Sequence, residues 1–194
     1  MPKKALRSEL LARRRSMTHA DWQKASVATQ QRLIALDLFQ RATCIALYAP
    51  IQHEVDTTQI FYAAQLTGKT VLYPVVCSTK LRFSQITDLS QLNTGSFGIP
   101  EPCRLADDHT LADADLIIVP GVAFDLQGHR IGFGKGYYDR SLSALSRIGV
   151  VVGLCHDFQL LDQIPTEGHD IRMQYIITEN RLIIPTGEKS RNRL

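Results

Sequence analysis

Leu116-Ile117-Ile118-Val119 is a run of four aliphatic side chains with no polar residue among them, closed by Pro120-Gly121. Successive side chains of a strand point to opposite faces, so an unbroken apolar run needs cover on both. That is the mark of a parallel strand between helical layers, not of an antiparallel strand with one wet face. Ile45-Ala46-Leu47 and Val150-Val151-Val152 have the same character. Strand signals fall at 43–48, 70–76, 81–86, 116–119, 149–155, 174–178 and 182–184. Between the first two, residues 56–66 read as a helix with Asp56 as N-cap and Ile60, Phe61 and Ala64 as its apolar face, which makes a βαβ unit. Gly68 then reads as the residue just past that helix. Thr18-His19-Ala20-Asp21 resembles a capping sequence for a longer helix whose apolar face is Trp22, Leu33, Ile34 and Leu36. The expected fold is α/β: a layered, mostly parallel central sheet flanked by helices, in a single domain over residues 1–194. Residues 87–114 carry turn signals and no expected helix or strand. They form either a loop lining a ligand site, with Phe97 and Ile99 against a planar group, or a surface linker. The polar tail 187–194 is expected to fray.

Composition narrows the function classes. No run of about 18 apolar residues is present to span a membrane and no apolar signal core lies near the start, so a soluble, cytoplasmic protein is expected. The four cysteines, Cys44, Cys77, Cys103 and Cys155, show no C-x-x-C spacing; three lie in apolar contexts that suggest buried thiols in a reducing compartment. The net charge of +3 conceals an uneven distribution: residues 1–15 carry Lys3, Lys4, Arg7, Arg13, Arg14 and Arg15 against Glu9, a local +5 that leaves −2 for the rest. A solvated helix face, a targeting peptide and an arm reaching an anionic ligand all predict such a start. Leu6, Leu10 and Leu11 favour a packed helix, Glu9 disfavours targeting, and Arg13 to Arg15 are expected to face solvent. The basic residues are not interleaved with aromatics, which speaks against nucleic acid, and no obligate protein partner is evident.

The densest chemistry follows the run at 116–119: Val119-Pro120-Gly121-Val122-Ala123-Phe124-Asp125-Leu126-Gln127-Gly128-His129-Arg130-Ile131-Gly132-Phe133-Gly134-Lys135-Gly136-Tyr137-Tyr138-Asp139-Arg140. Gly132, Gly134 and Gly136 let the backbone turn its N–H groups toward an anion, with Lys135 among them as countercharge. A helix from Tyr137 would add its N-terminal donors, and Asp139 in its first turn is placed to hold magnesium. The competing reading is a hairpin whose glycines serve turns around Leu126-Gln127-Gly128. The G-x-G-x-G spacing is neither a dinucleotide-binding fingerprint nor a Walker loop, and Gly68-Lys69-Thr70 lacks the first loop glycine and leads into a strand.

This segment resembles the signature P-G-x-x-F-D-x-x-G-x-R-x-G-x-G-x-G-Y-Y-D of the 5-formyltetrahydrofolate cyclo-ligase family, with every fixed position matched. The resemblance extends to Lys3-Lys4-Ala5-Leu6-Arg7, to Tyr48 with Glu54-Val55-Asp56-Thr57, to Gly98-Ile99-Pro100-Glu101-Pro102 and to His169-Asp170, nearly the whole chain. It implies conversion of 5-formyltetrahydrofolate to 5,10-methenyltetrahydrofolate with ATP as co-substrate and magnesium as cofactor. By position it implies ATP contacts from Lys3, Arg7, Arg130, Ile131, Gly132, Phe133, Gly134, Lys135, Gly136, Tyr137 and Tyr138, with Lys135 and Arg130 catalytic. It implies folate contacts from Ala49, Glu54 and the stretch Phe133, Gly134, Lys135, Gly136 and Tyr137, and magnesium ligands in Asp139 and Asp170. Taken alone, Glu54 would be a solvated loop acid, Asp170 a loop cap and Asp139 a helix N-terminal acid. His53, His129, His156 and His169 lack metal-ligand spacing. A non-catalytic nucleotide- or folate-binding relative and a sugar-phosphate isomerase-like enzyme are the alternatives.

Overall fold

The computed structural model describes residues 2–103, 109–145, 149–168 and 170–185. The chain runs through α1 (Lys3–Arg15), α2 (His19–Ile34), α3 (Asp37–Arg41), β1 (Cys44–Ala46), α4 (Thr58–Leu66), β2 (Thr70–Cys77) and β3 (Lys80–Gln85). It continues with β4 (Leu92–Thr94), β5 (Pro100–Pro102), β6 (Leu116–Pro120), β7 (Ala123–Asp125), β8 (Arg130–Ile131) and α5 (Tyr137–Ser143). It closes with β9 (Val150–Leu154), β10 (Leu160–Leu161), β11 (Tyr175–Ile177) and β12 (Leu182–Ile183).

The seven strand signals of the sequence become one sheet in the order β12-β11-β9-β6-β1-β2-β3. Neighbours from β11 to β2 are parallel, while the outer strands β12 and β3 run antiparallel. Leu116-Ile117-Ile118-Val119 lies in the central strand β6, and its side chains divide as a doubly covered strand must. Leu116 and Ile118 join a core with Phe61 and Ala64 of α4, while Ile117 and Val119 join a core with Leu142 of α5 on the other face.

Local chemistry accounts for the helix that links β1 and β2. It begins at Thr58, one residue later than an Asp56 N-cap implies, with Asp56 Oδ1 accepting from the backbone N–H of Thr57 and Thr58 at 2.8 and 3.2 Å ahead of the first turn. The next donors, Gln59 and Ile60, go to Gln30 Oε1 of α2, and Ser26 Oγ takes the Asp56 N–H. This corrects the apolar face expected for α2. Its buried face is Ala25, Ser26, Thr29, Gln30 and Leu33, polar where it satisfies the orphan donors at the start of α4. At the other end of α4, Gly68 has φ +69° and Lys69 N–H reaches back to Ala64 O, the left-handed stop expected there.

Two further corrections concern segments without periodicity. Residues 87–114 are not structureless: β4 and β5 form an antiparallel hairpin, and 3-10 turns occupy Leu89–Gln91, Ser96–Gly98 and Leu111–Asp113. A small sheet, β10-β7-β8, had no counterpart among the strand signals, its members being two or three residues long. Its β7–β8 hairpin turns at Gly128, φ +90°, so the hairpin reading holds for Gly128 while leaving 132–136 for other work. Of the cysteines, two rather than three are buried: Cys44 and Cys155, with Cys77 half-buried and Cys103 exposed. The tail 187–194 lies outside the described residues, and no helix among them is long and apolar enough to cross a membrane.

The small sheet is locked to the large one by Phe124, whose ring fills the space that a Cβ at Gly121 or at Gly153 would occupy. Phe124 is fully buried, so neither neighbour has room to yield. Gly153→Ala should therefore lower unfolding stability by about 1–3 kcal/mol through overpacking. Urea unfolding of that variant beside Gly168→Ala, where a Cβ meets nothing within 4 Å, separates crowding from any general effect of replacing glycine.

Candidate functional site

The connections leave β1 and β6 on opposite faces of the sheet: α4 follows β1 on one side and α5 follows β6 on the other. These strands are adjacent and parallel, so their carboxyl ends open a crevice at the point where strand order reverses, the usual ligand position in such sheets. A cavity of about 520 Å³ lies there. Tyr48, Ala49 and Glu54 enter it from the segment after β1, Pro120 from the end of β6, and the glycine loop between β8 and α5 forms one wall.

Every residue expected to contact ATP, folate or magnesium lines this one cavity. Lys3 and Arg7 come from α1, Ala49 and Glu54 from the β1 end, Arg130 and Ile131 from β8, and Gly132, Phe133, Gly134, Lys135 and Gly136 from the loop. Tyr137, Tyr138 and Asp139 come from the first turn of α5, and Asp170 from the segment before β11. His169 lies outside the described residues. Helix α1 reaches the loop because Leu6 and Leu10 are buried against Val122, Ala123, Ile131 and Ile164. Two of its basic side chains, Lys3 and Arg7, are thereby carried to the cavity.

Each loop glycine abuts a guanidinium. A Cβ at Gly132 would meet Arg130 Nη1 at 2.8 Å, one at Gly134 would approach Arg7 Cζ at 3.4 Å, and one at Gly136 would meet Arg140 Nη1 at 2.7 Å. Gly134 and Gly136 also have φ +96° and +64°. The loop is therefore glycine-rich for two reasons, left-handed backbone and close approach of arginines. Arg7 Nε fixes its position by donating to Gly132 O at 2.8 Å.

The acids at the site are paired with cations. Arg130 Nη2 donates to both oxygens of Asp139 at 3.0 Å, and Nη1 donates to Pro120 O. Lys3 Nζ lies 3.0 Å from Asp170 Oδ2 and 3.0 Å from Glu167 Oε1. Partial burial pulls the Lys3 ammonium down, but its hydrogen bonds to Asp170 and Glu167 and their negative charge outweigh it and raise its pKa. Among the described residues no three His, Cys, Asp or Glu side chains gather as a metal cage. Magnesium, however, commonly takes only one or two carboxylates together with phosphates and water, and Asp139 and Asp170 suit that donor set. Lys135 is exposed at the cavity mouth, with its ammonium 5.6 Å from the Phe97 ring centroid; Phe97, 64% exposed with φ +60°, also lies 6.3 Å from the Tyr137 ring.

Two expectations change. Glu54 is no solvated acid: it is 4% exposed, and burial pushes its carboxyl up to about 7, against the opposing pull of Arg14 and of the Ile51 N–H. Arg13 and Arg15 face solvent as expected, but Arg14 between them is 1% exposed. Its Nε donates to Gln52 O at 2.9 Å, its Nη1 to Gly121 O at 3.2 Å, and its Nη2 lies 3.8 Å from Glu54 Oε1. The signal for it was present: Leu6, Leu10 and Arg14 continue one stripe at steps of four. Pro74, Val76 and Leu81 of the β2–β3 pair, Glu101 of β5 and Glu167 also line the cavity without having been foreseen, because nothing local in strand or loop sequence says which residues face a distant glycine loop.

The model of the 5-formyltetrahydrofolate cyclo-ligase family matches residues 1–179. A 5-formyltetrahydrofolate cyclo-ligase of Mycolicibacterium smegmatis is 31% identical over 188 residues, covering 94% of this chain and 96% of its own length. That of Escherichia coli strain K12 is 30% identical over 175 residues, covering 88% and 96%. The solution structure of Aquifex aeolicus 5,10-methenyltetrahydrofolate synthetase superposes with a TM-score of 0.85 at 33% identity, over 100% of this chain and 97% of that one. With its signature loop at the switch point of the same fold, the chain is an enzyme belonging to the 5-formyltetrahydrofolate cyclo-ligase family.

Proposed function

We propose that this enzyme converts 5-formyltetrahydrofolate and ATP to 5,10-methenyltetrahydrofolate, ADP and phosphate, with magnesium at Asp139 and Asp170. The reading rests on one observation above the others: Lys3 and Arg7 of α1, the glycine loop, the two aspartates and the buried Glu54 all open onto one cavity. A formamide carbonyl is a poor electrophile, and its oxygen must leave for the ring to close. The formyl oxygen forms a bond to the γ-phosphorus as the bond from phosphorus to ADP breaks. The N10 lone pair then bonds the formyl carbon, the carbon–oxygen bond breaks, and phosphate departs with the oxygen while N10 loses its proton. The second step is intramolecular, so alignment supplies much of the acceleration.

The chain's own task is to align groups and stabilise charge. Lys3 and Arg7 reach the triphosphate from α1, and the loop N–H groups with Lys135 and Arg130 meet the transferred phosphoryl group. When bound, magnesium would neutralise phosphate charge; its ligands Asp139 and Asp170 are the acids now paired with Arg130 and Lys3, so ligand entry exchanges one set of ion pairs for another. Glu54 offers Oε1, buried and without a hydrogen-bond partner, to the N–H edge of the pterin, while Oε2 is held by the Ile51 N–H at 3.1 Å.

Ultraviolet absorbance of the methenyl product, followed with ATP, magnesium or both omitted, tests the reaction: product must depend on both, and ATP-independent turnover would favour an isomerase-like enzyme. Asp139→Asn and Asp170→Asn should each lose MgATP-dependent turnover while unfolding as wild type does. Wild-type rates for both across a magnesium titration would remove the metal assignment. Lys135→Ala, at the cavity, should lower kcat/KM by about 10² or more, against little change for Arg15→Ala outside it.

The raised Glu54 carboxyl gives a pH dependence. Its charged form is present above about 7 and is lost as pH falls through that value, so affinity for 5-formyltetrahydrofolate should drop between pH 8 and pH 6. Calorimetry on Glu54→Gln should show weaker folate binding that no longer varies with pH over that range, with affinity for a non-hydrolysable ATP analogue preserved.

A further inference from the structure

Glu54 is presented by an unusual piece of backbone. Gln52 and His53, the two residues before it, both have positive φ, 48° and 57°, a conformation that side-chain-bearing residues hold only when their surroundings impose it. Arg14 is part of that imposition at several points. Its Nε donates to Gln52 O, its own carbonyl contacts His53 Nδ1 at 3.2 Å, and Nη1 ties the assembly to Gly121 beside the end of β6. The remaining nitrogen, Nη2, is buried without a hydrogen-bond partner and faces Glu54 Oε1, also unpartnered, at 3.8 Å. That separation is too long for a hydrogen bond yet short for two buried charges, so the carboxylate is held by the field of Arg14 while its oxygen stays free for a ligand. Arg14 itself is not among the cavity-lining residues. It stands behind the acid.

We propose that Arg14 is a positioning residue for folate recognition: its guanidinium fixes the left-handed turn that presents Glu54 and supplies the buried positive charge that the Glu54 carboxylate faces. The proposal rests on the reading that Glu54 meets the pterin. The other groups around the pair are Tyr48 after β1, Asp56 before α4, Tyr138 of α5 with Arg130 behind it, and His53 and His156 near the guanidinium. Arg14 and Arg130 are the cations of this set, and Arg14 is the one whose pull on Glu54 opposes the desolvation of the carboxylate. His156 is held toward its neutral form by burial, so it does not replace that charge.

The charge component can be read without a ligand, by carbon NMR titration of protein labelled at its glutamate carboxyls, with Glu54→Gln assigning the resonance. Arg14→Gln should move the Glu54 midpoint upward by about one pH unit or more, which weakens 5-formyltetrahydrofolate binding roughly fivefold at pH 7. The deficit should narrow toward pH 9, and affinity for the ATP analogue should not change. Arg14→Lys restores the charge but cannot span both carbonyls; its midpoint should return toward that of wild type while folate KM stays raised and kcat for bound substrate is retained. Should Arg14→Gln not fold, Arg14→Lys carries the test, and wild-type folate KM in that variant would overturn the proposal. An unmoved midpoint in folded Arg14→Gln, or a folate loss equal at every pH and matched by a loss for ATP, would also overturn it and leave Arg14 a packing residue. Wild-type folate binding by Glu54→Gln is a different failure: it removes Glu54 from the substrate site, and the role of Arg14 with it.

Discussion

The site depends on a topological constraint before it depends on any side chain. Parallel strands β1 and β6 are neighbours, but the chain leaves one toward α4 and the other toward α5, on opposite faces, so no connection crosses the gap between their carboxyl ends. The large sheet therefore provides two ends and a crevice. Helix α1, docked by Leu6 and Leu10 onto the small sheet, and the glycine loop both line it. Phe124 joins the small sheet to the large one through the space left by Gly121 and Gly153, which makes the placement of α1 and of the loop consequences of one packing contact.

Charge is organised in the same frame. Arg7, Arg130 and Arg140 press against the glycine loop, and Arg7 and Arg130 with Lys3 and Lys135 would repel one another in the cavity without acids nearby. Asp139 and the Asp170–Glu167 pair neutralise Arg130 and Lys3. Such pairs add little to stability where they are solvated. In the proposed reaction these pairs keep cations in place that an incoming triphosphate can claim.

What the sequence disclosed follows from how far each signal reaches. Leu116-Ile117-Ile118-Val119 and its counterparts gave the central sheet because burial on both faces is written into consecutive residues, and each strand signal became a strand of that sheet. The signature loop was legible because φ > 0 and close approach both require glycine at fixed spacing. The short strands β7, β8 and β10 were not, since two or three residues carry no measurable alternation. The buried face of α2 was misread for a related reason: Ser26 and Gln30 are buried to satisfy donors of α4, a demand created in three dimensions by residues some thirty positions away.

Arg14 shows where residue-type reasoning gives out. A third arginine at the end of a basic helix is expected in water, where its neighbours Arg13 and Arg15 indeed lie, and burying a guanidinium is costly unless its charge and donors are answered. Here the answers are Gln52 O, Gly121 O and the Glu54 carboxylate, none of which the helix sequence contains. Conversely, Glu54 is tolerated deep in the crevice only because that cation is beside it, and its carboxyl is still pushed up to about 7. A buried pair of this kind is weak as a source of stability, because much of the attraction offsets desolvation. The arrangement makes better sense as geometry: Arg14 donates from Nε and Nη1 to backbone carbonyls and leaves Glu54 Oε1 unclaimed, which is the condition a carboxylate needs to recognise an N–H edge.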